Sequence, residues 1–201
     1  TGSTRGIGRA LAVRAAEEGF DIILHGRDGD AAEEIEKEIS RLGRKTKKVL
    51  GDITDKRTIT KIKECASSNQ IGLYIGNAGI DIPNPSTKEI RRMVETNLLA
   101  NIELINFFVR YFGGRGGIIG VTNSLSGLDP QRKRPEYCAS KWGLRGFVNS
   151  LRERETGVRI ISLYPGRVKT KEWHESGMPP EFVAEKFFEA YKSGADDVIL
   201  R

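Results

Sequence analysis

The feature that most constrains this chain is a regular alternation of short apolar runs with longer stretches of helical periodicity. Residues 6–18 carry apolar side chains at helical spacing and stop at Gly19, and DIILH (21–25) then reads as a short buried strand. Asp30 with Glu33 makes a capping-box start for a helix whose Ile35, Ile39 and Leu42 share one face, and Gly43 ends it. A strand running to Leu50 follows, then an amphipathic stretch at 55–67 and a strand entering a glycine turn at 71–79 (IGLYIGNAG). Ser86 with Glu89 starts a long helix reaching toward Phe112. GGIIGVT (116–122), a helix at 137–152, VRIISLY (158–164), a helix at 181–192 and DDVIL (196–200) complete the series. Strands that alternate with helices predict a parallel sheet covered on both faces, because each parallel connection needs a crossover. The expected fold is a doubly wound α/β domain, with ligands held at the carboxyl ends of its strands where the strand order reverses.

At 201 residues the chain is sized for one domain over 1–201, with no linker, internal repeat or low-complexity segment. It has no run of about eighteen apolar residues and no basic-then-apolar leader before the first motif. No membrane association is therefore expected, and a cytoplasmic location is. Two cysteines, Cys65 and Cys138, and two histidines are too few for a disulfide framework or a metal centre. The net charge of +6 leaves an anionic partner open, and RLGRKTKK (41–48), the densest basic patch, reads most simply as a solvated helix end and turn.

Chemistry concentrates in the loops at the strand ends. TGSTRGIG (1–8) is a glycine-rich turn entering a helix, where free N–H groups and the helix dipole favour a phosphate; the plainer reading is a tight turn needing positive φ. In GVTNSLSGLDPQRKRPEYCASK (120–141), Ser124 is followed by Tyr137 and then, one helical turn on, by Lys141 on the same helix face. An ammonium beside a phenol favours the phenolate, so Tyr137 is expected to have its pKa drawn toward working pH and to serve as acid and base. Ser124 can donate a hydrogen bond to a substrate carbonyl. Taken singly, these residues also read as a turn serine, a surface Tyr/Lys pair and, for Asn97, a helix cap or bend.

Taken together, six motifs in order resemble those of the short-chain dehydrogenase/reductase family, whose fold is Rossmann-type. TGSTRGIG is similar to its TGxxxGxG cofactor loop, GNAG (76–79) to its NNAG turn, and ETNLLA to the segment bearing its catalytic Asn, here Asn97. GDITD (51–55) resembles its adenine-contacting turn, PGRVKT (165–170) its PGxVxT motif, and Ser124, Tyr137 and Lys141 its Ser and YxxxK pattern. The resemblance implies a nicotinamide dinucleotide held by Gly2, Ser3, Thr4, Arg5, Gly6, Ile7 and Gly8, by Asp52 and Ile53, and by Asn77, Ala78 and Gly79. Tyr137 and Lys141, Pro165, Gly166, Val168 and Thr170 complete the expected contacts, with Val168 and Thr170 on the carboxamide and Lys141 on the ribose hydroxyls. Asn97 is expected to anchor a water that relays protons to Lys141. The implied reaction is hydride transfer between the cofactor and a small-molecule carbonyl or secondary alcohol.

An acidic residue on the adenosine ribose suits NAD and an arginine on the 2′-phosphate suits NADP. Where NAD-using members carry Asp this chain has Gly26, followed by Arg27, with Arg5 as a second candidate and Asp28 as the counter-argument, so NADP(H) is expected. The alternative is NAD(H) with a small 3-hydroxy acid or 3-oxoacyl thioester as substrate. Residues 171–180 (KEWHESGMPP) stand where the family has its substrate loop, and Trp173, His174 and Met178 either line a pocket or pack. The family's first strand would lie upstream of Thr1, and Gly76 replaces the first Asn of NNAG. Helices at 97–112 and 137–152 are those that members pair across a two-fold axis, and NFFVRYF is expected to be a broad apolar surface needing cover, so a homodimer or homotetramer is expected. A non-catalytic NADP-sensing regulator has no reason to keep Asn97, Ser124, Tyr137 and Lys141 together. A nucleic-acid binder would show interleaved aromatics or a recognition motif, which are missing here.

Overall fold

The computed structural model describes residues 1–154, 156–170 and 176–201. Its elements run α1 (Gly6–Glu17), β1 (Ile22–Gly26), α2 (Gly29–Arg41), β2 (Thr46–Leu50), α3 (Lys56–Ser67), β3 (Leu73–Gly76), α4 (Thr87–Val94) and α5 (Ala100–Phe112). They continue with β4 (Ile118–Thr122), α6 (Pro135–Arg152), β5 (Arg159–Pro165), α7 (Pro180–Ser193) and β6 (Asp197–Leu200). The alternation read from the sequence is thus realised, with most boundaries shifted by one to three residues.

Two local features depart from the reading. The cap of α2 is Asp28, whose carboxylate accepts from the Ala31 amide at 3.1 Å, rather than Asp30. Asp28 is extended and Gly29 is already helical, so the acceptor one residue before the turn captures the free amide. The Ser86/Glu89 capping box forms as expected, but the helix it starts widens to a π-turn over Glu95–Leu99 before α5. There the Asn101 side chain donates to the carbonyls of Thr96 and Asn97, at 3.1 and 3.2 Å. A π-turn in a long helix commonly marks a functional site, and this one holds Asn97.

Every strand pairing is parallel, in the orders β2-β1 and β3-β4-β5-β6. β1 and β3 flank a cavity of about 340 Å³ lined by Leu11, Ala15, Ile23, Tyr74 and Phe108. Residues 1–3 bridge its upper end. The Thr1 nitrogen donates to the Ile75 carbonyl at 2.7 Å, and the Ser3 amide to that of His25 at 2.8 Å. Chain order runs outward from β1 to β2, then crosses back to β3 and on to β6. The reversal therefore falls between β1 and β3, and the loops at their carboxyl ends meet there.

Apolar layers cover both faces. On one, α3, α5 and α6 pack Ile62, Phe108, Phe112 and Val148 against Tyr74, Ile119 and Val121, with the Tyr74 and Phe108 rings stacked at 4.0 Å. On the other, α1 and α7 pack Leu11, Phe187 and Phe188 against Ile161 and Leu163. Phe108 and Phe112 of NFFVRYF are therefore core residues, and the exposed apolar side chains nearby are Leu99 and Trp142. Phe107, Val109 and Tyr111 are partly buried and pack against the same cluster, so the broad exposed surface expected from that heptapeptide is taken up by the chain's own core. The basic run at 41–48 is spent on surface pairs, Arg44 with Asp21 and Lys48 with Glu36.

Candidate active site

The glycine loop is tied into the sheet from both sides. Gly2 and Gly6 adopt φ of 64° and 53°, and a Cβ at Gly8 would lie 2.0 Å from the Gly2 carbonyl, so α1 can start this close to the loop only with glycine there. The Gly2 amide donates to His25 Nδ1 at 3.2 Å, and Ser3 Oγ accepts from the His25 amide at 2.8 Å. Asn77 Nδ2 reaches the Thr1 and Gly2 carbonyls at 3.1 and 3.2 Å, while Thr1 Oγ1 accepts from the amides of Asn77 and Ala78. Thr170 packs on Gly6, where a Cβ would stand 3.0 Å from Thr170 Cγ2, which brings the 165–170 loop over the start of α1. Val168 is buried, and the flanking Lys169 amide donates to Met178 at 3.0 Å. The first turn of α1 has neither a side-chain cap nor an acidic residue, so its free amides and the dipole suit a pyrophosphate.

At the exit of β1, Arg27 is exposed and leans toward Asp52 at 3.6 Å, and Arg92 shares the same carboxylate at 3.3 Å. Burial pushes the Asp52 carboxyl up, but the Thr54 amide and hydroxyl and the two guanidiniums outweigh it and hold the group below its ordinary value. Asp28 is engaged in capping α2. A Cβ at Gly26 would stand 2.4 Å from Thr4 Cγ2 and 2.6 Å from its hydroxyl, so residue 26 is closed to any larger side chain while Thr4 is in place. Ile53 is buried beneath the turn that carries Asp52, and Arg5 sits at the exposed entry to α1.

The four candidate catalytic residues converge on the start of α6. Asn97 is fully buried: its Oδ1 accepts from the Ile80 amide at 2.7 Å, and its Nδ2 donates to the Ile80 carbonyl at 2.8 Å and to Ser140 Oγ at 3.0 Å. Ser140 Oγ in turn donates to the Tyr137 carbonyl at 2.7 Å. Ser124 caps a short turn after β4, accepting from the Ser126 amide at 3.1 Å, and its hydroxyl acts on the Tyr137 phenol so as to favour the phenolate. Lys141 is buried, donates to the Thr122 carbonyl at 3.0 Å and lies 5.8 Å from the centre of the Tyr137 ring. Gly79 and Pro165–Gly166 close the site from the β3 and β5 ends, a Cβ at Gly79 falling 3.7 Å from Lys141 Nζ.

The electrostatics correct one expectation. Burial pushes the Tyr137 phenol up to about 12, with the Ser124 hydrogen bond pulling the other way, rather than the lysine drawing it down. The reason is geometric: the Lys141 amine is turned to the Thr122 carbonyl, and burial lowers its own pKa to about 8.

The chain matches the family model described as short chain dehydrogenase over residues 1–179. It belongs to the short-chain dehydrogenase family. This short-chain dehydrogenase is 32% identical over 196 residues to (-)-trans-carveol dehydrogenase of Rhodococcus erythropolis, covering 85% of this chain and 70% of that protein. It is 29% identical over 182 residues to the human 15-hydroxyprostaglandin dehydrogenase [NAD(+)], covering 85% and 67%. An alcohol dehydrogenase of the archaeon Thermococcus sibiricus, solved with 5-hydroxy-NADP, superposes with a TM-score of 0.91 at 24% identity over 100% of this chain and 93% of that one, a likeness of fold.

The sequence reading missed several parts of this short-chain dehydrogenase site. Ser140, three residues after Tyr137, was findable from helical spacing. Asn101 lies four residues past Asn97, and its Oδ1 occupies the space beside Gly76, where a Cβ would stand 2.8 Å away. The Gly76 departure from NNAG is thus met by Asn101, whose Nδ2 also reaches the Ala78 carbonyl at 3.3 Å. Trp173 and His174 lie outside the described residues, and Met178 is partly buried beside Val168. Among the described residues no helix is long and apolar enough to cross a membrane.

Proposed function

We propose that this short-chain dehydrogenase interconverts a carbonyl and a secondary alcohol with NADP(H), using Tyr137 as acid and base. The observation that carries the reading is the convergence of Ser124, Tyr137 and Lys141 beside the loops of residues 1–8 and 77–79, backed by the buried Asn97. A bound nicotinamide dinucleotide supplies or accepts the hydride. Ser124 orients the substrate oxygen against the Tyr137 hydroxyl, and Tyr137 gives its proton to that oxygen in reduction and takes one back in oxidation. Lys141, buried with its pKa lowered to about 8 and so still mostly protonated near neutral pH, is the group that would hold the nicotinamide ribose hydroxyls. Gly2–Gly8, Asn77 and Thr170 shape the cradle for the dinucleotide.

The choice of NADP(H) rests on an exposed Arg27, a Gly26 without a carboxylate, and an Asp28 already engaged as a helix cap. The competing NAD(H) reading draws on Asp52, which holds Arg27 loosely, and on the NAD(+) in the human relative's name. Cofactor oxidation with NADPH and NADH against cyclohexanone, 3-oxoacids and 3-oxoacyl thioesters tests the assignment. Tyr137→Phe should lower kcat by at least about a hundredfold while NADPH binding is kept. Turnover near that of the wild type in this variant overturns the mechanism.

A further inference from the structure

Two features that the proposed reaction does not use lie beside Tyr137. Asp81, on the loop after β3, pairs with Arg134 at the start of α6 at 2.5 Å, and the Arg134 guanidinium stands 5.7 Å over the Tyr137 ring. The residue before Asp81 is Ile80, whose amide and carbonyl are both held by Asn97; Asn97 passes through Ser140 to the Tyr137 carbonyl. The β3 loop is therefore fastened to α6 twice, inside through Ser140 and outside through Arg134. These two anchors lie three residues after and three residues before Tyr137, on the turns that flank it.

We propose that Asp81 and Arg134 are positioning residues, whose ion pair clasps the β3 loop to α6 across the mouth of the site and fixes the Tyr137 ring between two anchors. This rests on the reading of Tyr137 as the acid and base. The pair spans 53 residues of sequence, so no local helix-surface pairing accounts for it. Its two charges also act on the phenol in opposite senses: the carboxylate opposes the phenolate and the guanidinium favours it. The other groups facing the ring among the described residues are Lys141 and Cys138 on α6 and Ser124 from the β4 loop. A pair that is kept intact leaves the phenol nearly balanced between its two charges, whereas loss of either one unbalances it.

The test needs no substrate. The full chain is labelled with fluorotyrosine and titrated by fluorine NMR, and the signal missing from Tyr137→Phe reports residue 137. Arg134→Gln should raise the midpoint and Asp81→Asn should lower it, each by roughly a few tenths of a pH unit, as suits a partly exposed pair. The double variant should return toward the wild-type midpoint, and a charge-swapped pair, Asp81→Arg with Arg134→Asp, should restore the wild-type line shape. Midpoints that stay put in both single variants, or that move in the same direction, overturn the proposal. If instead Tyr137→Phe turns over normally, the catalytic reading falls while the titration still decides whether the clasp exists.

Discussion

Cofactor choice can be reversed only if the contact between Gly26 and Thr4 is dealt with first. The obvious change for NADH preference is Gly26→Asp, which puts a carboxylate where a free ribose hydroxyl can donate to it and where a phosphate is repelled. In this chain the new Cβ would stand 2.4 Å from Thr4 Cγ2 and 2.6 Å from Thr4 Oγ1, well inside contact. Thr4 lies on the glycine loop, so relief of the clash displaces the Thr4 side chain or the loop that carries it, beside the place of the pyrophosphate. Overpacking of this kind costs about 1–3 kcal/mol, or roughly fivefold to a hundredfold in binding, and it falls on NADPH and NADH alike. Gly26→Asp alone should therefore weaken both cofactors. Adding Thr4→Ala removes the two nearest atoms and leaves only a Cβ at 3.1 Å, which a shift of a few tenths of an ångström accommodates. The double variant should recover NADH binding. Arg27→Ala should weaken NADPH by about tenfold, one charge-assisted hydrogen bond of ~1.5 kcal/mol, with little effect on NADH. Fluorescence titration of both cofactors against all three variants is the assay. Undiminished NADH binding by Gly26→Asp alone would refute the steric argument, and equal losses of both cofactors in Arg27→Ala would refute the phosphate assignment.

Lys141 is a buried amine whose pKa falls from 10.5 to about 8 because of burial, so the folded state binds fewer protons than the unfolded one between those values. Wild-type stability should rise by on the order of 3 kcal/mol from pH 8 to 10.5 relative to Lys141→Met, measured by urea unfolding; parallel pH curves would contradict the burial argument. His25 is lowered from 6.5 to about 4 by burial, and its Nδ1 must stay unprotonated to accept from Gly2. The stability it contributes is complete above pH 6.5 and should decline by on the order of 3 kcal/mol as pH falls to 4, a loss absent from His25→Gln. Light scattering should find a dimer or tetramer, and Leu99→Glu with Trp142→Glu, at the exposed apolar positions on the helices expected to pair, should shift it toward monomer. A monomeric wild type at micromolar concentration would refute the pairing.

What the sequence determined by itself is local. Helix and strand periods are set by neighbours a few residues apart, and the Ser86/Glu89 capping box joins residues three apart, so the alternation and most element ends were legible. The family motifs were legible for the same reason, since each is a short loop with its own backbone requirements. The π-turn at 95–99 was not, because one extra residue in a single turn leaves the apolar pattern on either side nearly intact, and the Asn101 side chain that takes up the Thr96 and Asn97 carbonyls there has no spacing that marks it. Nor was the fate of NFFVRYF, since which of its rings face the core depends on Tyr74 of another strand. The Thr4 contact at Gly26, the Asp81–Arg134 pair and the direction of the Tyr137 shift likewise join segments far apart in sequence. Sequence spacing placed Tyr137 and Lys141 on one helix face. Only the folded chain could turn the amine to Thr122, because desolvation and competing carbonyls act through space and leave no mark on the spacing.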